Sequence, residues 1–258
     1  MKPSAVPHDH HAHGGAPEEP GAIRAMGRAV TGAPRTMMNQ ALRYERVLRY
    51  LEARGVESAL EVGSGASGLA AWWSGPVTGV DLRFDGAPPP NLTTVTGSVF
   101  DLPFADRSYD VVVCTDVMEH LRPDRRAEAL AELLRVSSRL VWVSFPCGAD
   151  ATAADRRLAH AARGVGMTEP GWLLDHMEHG LPTLDEALSW PASGFRRGWA
   201  TSLPVNRHLA VLLAEHAPGG RLMDRIARWR WARSRILGHT TRRGGRYRLE
   251  IWLERVGV

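Results

Sequence analysis

The periodicity of apolar positions changes repeatedly between residues 36 and 146. From Thr36 to Arg54 apolar side chains fall at Met37, Met38, Leu42, Val47, Leu48 and Leu51, which is the spacing of one helix face, and Gly55 closes the run. "SALEV" (58–62) then reads as a buried strand and Ser67 to Trp73 as a helix. "VTGVDL" (77–82) gives a second strand, and "NLTTVTG" (91–97) a third after the turn Pro88-Pro89-Pro90. "YDVVVCT" (109–115) is a near-continuous apolar run, as a strand covered on both faces requires. Pro123 to Val136 is helical, and "RLVWVSF" (139–145) is a fifth strand. Helix and strand alternate throughout, which predicts an α/β protein with a mostly parallel sheet.

The rhythm breaks after Pro146. Residues 147–182 carry a mixed helical pattern, and a connection of that length is far beyond the roughly 2 to 6 residues usual in α/β units, so the segment is expected to act as a lid. Thr183 and Glu186 fit a capping box that starts a short helix near Leu184. "GFRRGWATS" (194–202) reads as a sixth strand, with helical stretches at about 206–216 and 220–237. "RYRLEIWLERV" (246–256) alternates and predicts a last, antiparallel strand near an edge. The expected architecture is a Rossmann-like, doubly wound sheet with an antiparallel last strand and helical insertions. It spans 23–258 as one domain, with a basic helical insertion at 204–243 and a disordered Pro, Gly, Ala and His-rich tail at 1–22. No internal repeat is visible.

Charge changes the picture little. The net charge is +4, but from Arg221 to Val258 eleven arginines face only Asp224, Glu250 and Glu254, while the preceding residues carry 21 basic and 25 acidic side chains. Nucleic acid is therefore disfavoured as a partner, and the basic helix 220–237 leaves contact with an anionic membrane surface as an alternative to plain core packing. Cys114 and Cys147 form no disulfide framework, no apolar run approaches a membrane span, and no secretory signal is visible, so a cytoplasmic location is expected. The tract His8, His10, His11 and His13 has no accompanying Cys or carboxylate shell and is read as a solvated tail.

Candidate chemistry begins at Gly63-Ser64-Gly65-Ala66-Ser67-Gly68, a G-x-G-x-x-G match at the end of the first strand. Asp81 ends the second strand and can accept both hydroxyls of a ribose. Those two features serve NAD and S-adenosylmethionine equally. Glu61 favours the second, because a carboxylate directed at the loop would repel a pyrophosphate and suit an ammonium and a sulfonium. The single lysine, Lys2, also excludes a Tyr-x-x-x-Lys pair for nicotinamide chemistry.

"LEVGSGASG", "VTGVDL", "LPFADRSYDVVVCTDVMEHL" and "RLVWVSFP" resemble, in order, the motifs of class I S-adenosylmethionine-dependent methyltransferases, the small-molecule type 11 group in particular. The resemblance covers about 40–146. It implies that Glu61, Gly63 and Gly65 line the methionyl part of S-adenosyl-L-methionine, that Asp81 binds the ribose, and that Leu82 packs on the adenine. Val99 would offer its backbone N–H to the adenine, and Thr115 would face the sulfonium. Ser98 stands where the family usually has an Asp for the adenine amino group, a departure for which Asp101 could compensate.

The implied acceptor is a small molecule, a glycan or a lipid precursor. His120, Asp116, His176 and His179 are the candidate general bases. His176 and His179 share a helix face by spacing, yet no third ligand is evident beside them, so no metal is expected. Cys147 reads as a small buried residue, not a nucleophile. A nicotinamide-dependent oxidoreductase using the same loop, and a cofactor-binding protein without catalysis, are the competing readings. Oligomeric state is not legible.

Overall fold

In a computed structural model, residues 38–164, 171–216, 226, 229 and 245–257 are described. The N-terminal tail and the basic helix expected at 220–237 lie outside them, apart from Ile226 and Trp229. The elements in order are α1 (Met38–Ala53), β1 (Ala59–Val62), β2 (Val77–Asp81), β3 (Leu92–Thr96), β4 (Tyr109–Thr115), α2 (Arg126–Val136), β5 (Ser137–Pro146), α3 (Gly148–Gly164), α4 (Gly171–His179), α5 (Leu184–Ser189), β6 (Phe195–Pro204), α6 (Val205–His216) and β7 (Arg246–Arg255). Among the described residues no helix is long and apolar enough to cross a membrane.

The seven strands form one sheet in the order β3-β2-β1-β4-β5-β7-β6. β3, β2, β1, β4 and β5 are parallel, and β7 runs antiparallel to both β5 and β6. Strand order reverses between β1 and β4, so a crevice opens at their carboxyl ends. The continuous apolar runs of β1, β4 and β5 are covered on both faces. Leu60, Val62, Val112, Cys114, Val141 and Val143 pack with α2 on one side, and Ala59, Val111, Val113, Leu140 and Trp142 pack with α1 on the other. A third cluster joins Met38, Ala41 and Leu42 of α1 to Ala151 and Ala154 of α3, Val211 of α6 and Tyr247 of β7.

Two local expectations need correction. The helix expected over Ser67–Trp73 is only a 3-10 turn at Gly68–Ala71, because Gly68 adopts φ +43° and breaks the helical path. The helix that "MEHL" (118–121) suggests after the fourth strand is likewise a single turn, Met118–His120. β7 lies near an edge, as expected, one strand in from the edge strand β6. The capping box at α5 is present in full: the Glu186 N–H donates to Thr183 Oγ1 at 3.1 Å, and the Thr183 N–H donates back to Glu186 Oε2 at 3.4 Å.

The segment after β5 is built on two helices. α3 lies in the core through Ala151 and Ala154, and α4 packs over the turn at Met118–His120.

Candidate active site

The glycine loop is tied to the end of β2. The Gly63 N–H donates to the Val80 carbonyl at 2.8 Å, and the Gly65 N–H donates to Asp81 Oδ2 at 2.8 Å. Asp81 Oδ1 accepts the Leu82 N–H at 2.8 Å. Gly63 and Gly65 have φ of +80° and +54°, a region that favours glycine. A Cβ on Gly65 would meet nothing within 4 Å, so this stretch of backbone is open to a ligand. Gly63 is different: a Cβ there would lie 2.2 Å from Val117 Cγ2, so this glycine lets the turn after β4 close against the loop.

Glu61 lies beneath the loop, fully buried, with Oε2 accepting the Leu69 N–H at 2.6 Å. A Cβ on Gly68 would fall 2.0 Å from the same oxygen, which explains glycine at that position. In this geometry Glu61 acts on the loop from below. Burial pushes its carboxyl up to about 7, against the pull of the Leu69 N–H and the Tyr44 hydroxyl. The raised pKa gives a sign. Relative to an ordinary carboxyl, Glu61 stabilises the fold fully below about pH 4.5, and that stabilisation is lost as pH rises through about 7. Glu61→Gln keeps the acceptor for Leu69 and cannot ionise. Its stability relative to wild type, from urea unfolding across pH 4.5 to 7, should therefore rise by roughly 3 kcal/mol. Parallel pH profiles would show that Glu61 ionises normally.

Leu82 is 48% exposed, an apolar surface at the mouth of the crevice, whereas Val99 is buried. The Ser98 hydroxyl accepts the Phe100 N–H at 3.3 Å, and Ser98 bridges Asp101 through the backbone. Thr115 Oγ1, at the end of β4, is buried with no hydrogen-bond partner. The carboxyl ends of β1, β2 and β4 thus converge on one crevice.

Residues 60–140 match a family described as "Methyltransferase domain". That segment of the chain is similar to methyltransferase domains. No curated protein matches the sequence at a significant level. Among solved structures, the plantazolicin methyltransferase BpumL in complex with a triazolic desmethylPZN analog and SAH is similar at 14% identity and a TM-score of 0.53, covering 84% of this chain and 85% of that one. Magnesium protoporphyrin IX methyltransferase from Synechocystis, with bound SAH, is similar at 14% identity and a TM-score of 0.46, covering 84% of each chain.

Beside the crevice the turn after β4 meets α4. Arg126, 1% exposed, fastens the two: its Nε donates to the Met118 and Leu121 carbonyls, both at 3.1 Å, and its Nη2 donates to the Gly180 carbonyl. His120 and His176 are brought together by this packing, with ring centroids 5.2 Å apart. His176 Nδ1 lies 2.8 Å from Asp155 Oδ2, and the Tyr247 hydroxyl donates to Asp155 Oδ1 at 2.8 Å. His120 Nδ1 is 3.3 Å from Asp175 Oδ2, close but not aligned as a hydrogen bond. Burial, then the neighbouring His176, push the His120 imidazole down to about 4, so it is neutral at neutral pH. His179 is half-buried and stands outside this cluster.

Asp116, expected as a candidate base, is not suited to that role. Burial opposes its charge, but Arg248 and Arg43 outweigh burial and hold the carboxyl at about 2. Arg43 Nη1 is 2.6 Å from Asp116 Oδ2, and Arg248 pairs with the other oxygen while contacting Ser144 Oγ at 3.2 Å. Cys147 is a poor nucleophile, because burial pushes its thiol up to about 12. Sequence reasoning missed Glu119, Asp155, Tyr247 and Arg248. Only Glu119 carried a signal, as an acid adjacent in sequence to His120.

Proposed function

We propose that this chain transfers a methyl group from S-adenosyl-L-methionine to a small-molecule, glycan or lipid-precursor acceptor. The observation that carries the reading is the glycine loop held on Asp81, with the Gly65 backbone open above it, where β1, β2 and β4 end together. Gly63 and Gly65 would pass close to the methionyl part, with Glu61 fixing the loop from below. Asp81 would take the ribose, since each of its oxygens accepts one N–H and keeps a lone pair for a hydroxyl. Leu82 would cover one adenine face, Ser98 and Val99 its edge, and Thr115 the sulfonium side. The bound cofactor supplies an electrophilic methyl on a sulfur that leaves as a neutral thioether, so no acid is needed at the leaving group.

The remaining work is alignment and exclusion of water. α4 carries Trp172 and His176 over the turn at Met118–His120, and 147–182 would thus form the wall on the acceptor side, with His179 at its rim. His120 and His176 are the imidazoles available to assist an acceptor that must lose a proton.

Isothermal titration separates the readings. S-adenosylhomocysteine should bind and NAD should not; the reverse pattern rejects a methyltransferase in favour of an oxidoreductase. Labelled-cofactor transfer to a metabolite extract then distinguishes an enzyme from a binding protein. Asp81→Ala should weaken S-adenosylhomocysteine binding by about 1.5 to 3 kcal/mol, since it removes a charged hydrogen-bond acceptor. Normal affinity in that variant would place the ribose elsewhere.

A further inference from the structure

The cluster beneath α4 has an arrangement that hydrogen bonding alone leaves unexplained. Asp155 accepts from the Tyr247 hydroxyl on one oxygen and faces His176 Nδ1 at 2.8 Å on the other, so the proton of a neutral His176 sits on Nδ1. Nε2 is then a lone pair. What it faces, at 4.0 Å, is Glu119 Oε1, a second acceptor. That separation is too long to share a proton. Glu119 is 1% exposed, and its Oε2 has no partner. The nearby cations Arg43 and Arg248 are both engaged by Asp116. His120, also buried, completes a group of three whose ligand atoms all lie within 4.8 Å of one another.

We propose that Glu119, His120 and His176 bind one divalent first-row transition ion, with Asp155 and Tyr247 as positioning residues for His176. Two imidazoles and one carboxylate are the donor set of catalytic zinc sites and of non-haem iron sites. Metal-bound histidines almost always pass their other ring N–H to a carboxylate, a backbone carbonyl or water, which is the role of Asp155 toward His176 here. Bond lengths of about 2.0 to 2.2 Å on a tetrahedral ion put ligand atoms about 3.3 to 3.6 Å apart. From atoms within 4.8 Å of one another the cluster would therefore contract by up to about 1.5 Å, mostly through the side chains of the short turn that carries Glu119 and His120. A cation there would also remove the cost of burying an ionised Glu119. Three protein ligands leave a coordination position open. Granted the proposed methyl transfer, that position takes the oxygen or sulfur of the acceptor and favours its deprotonated form.

The test is titration of the chelator-treated full chain with Co2+, followed by visible absorption and calorimetry. His8, His10, His11 and His13 could bind the probe independently, so the titration uses the chain with all four replaced by Ala. One equivalent should bind. Glu119→Gln and, separately, His120→Ala should weaken it at least ~100-fold through loss of a ligand, and Asp155→Asn by roughly 10- to 100-fold through loss of orientation. Circular dichroism identifies any variant that fails to fold, and the other ligand variant then decides. The proposal is overturned if the tail-substituted chain binds no Co2+, or if a folded Glu119 or His120 variant binds it with unchanged affinity, leaving a hydrogen-bonded polar cluster. S-adenosylhomocysteine binding is measured in parallel. Its absence would reject the proposed function and leave the ion site standing.

Discussion

Asp116→Asn should lower folding stability by about 3 to 5 kcal/mol in denaturant unfolding, the cost of leaving a buried charge without its partner. The substitution is nearly isosteric, and Asn tolerates the left-handed backbone (φ +56°) that Asp116 adopts. The change therefore isolates the charge. Arg248 is 3% exposed and would be left with Ser144 as its side-chain partner, while Arg43 reaches solvent and would suffer less. Adding Arg248→Met should recover part of the loss, so the double variant should be more stable than the sum of the two singles implies. Strict additivity would mean that the pair contributes nothing as a pair.

Gly63→Val should be the most damaging single change in the crevice. Its Cβ would fall 2.2 Å from Val117 Cγ2, and its backbone would have to hold φ +80° with a β-branched side chain. Overpacking of this kind costs about 1 to 3 kcal/mol and left-handed backbone about 1 to 2 kcal/mol more. Valine would also fill space at the loop, so S-adenosylhomocysteine binding should be lost. Gly63→Ala combined with Val117→Ala tests the cause. Trimming Val117 should restore the packing component and leave the backbone component. If Val117→Ala brings no recovery, the contact is not what requires glycine.

The parallel half of the sheet was legible because burial on both faces leaves a plain mark. "YDVVVCT" and "RLVWVSF" have almost no polar residue to place in water, and β4 and β5 lie where such runs must. The neighbours of β7 were not legible, for the converse reason. Alternation in "RYRLEIWLERV" suggests a solvated face, yet Arg248 and Glu250 are 3% and 2% exposed. Arg248 meets Asp116 and Ser144, and Glu250 meets Ser202 and Arg46, so its charges face partners instead of water. Periodicity reports polarity and carries no record of who neutralises it.

The crevice was legible for a related reason: Gly63, Gly65 and Asp81 lie at strand ends whose order the alternation already implied. The cluster under α4 was not. Spacing along the chain gives His176 only one neighbour, His179, one helical turn away. The structure pairs it instead with Glu119 and His120, more than fifty residues earlier, because Arg126 locks the end of α4 to the turn after β4. That lock depends on a tertiary contact for which neither segment carries a local pattern.

The position of β7 also orders events during synthesis. It is the last described strand to be made, yet it fills the place between β5 and β6. While the chain grows, β6 has no strand to pair with, and the Phe145 side of β5 is an open edge. Tyr247 and Arg248, which brace Asp155 and Asp116, arrive at the same late moment. The nascent protein can therefore assemble its glycine crevice from β1 to β4 well before the acceptor side takes shape, and a ribosome that stalls after α6 would leave a sheet with two exposed edges and no braced cluster.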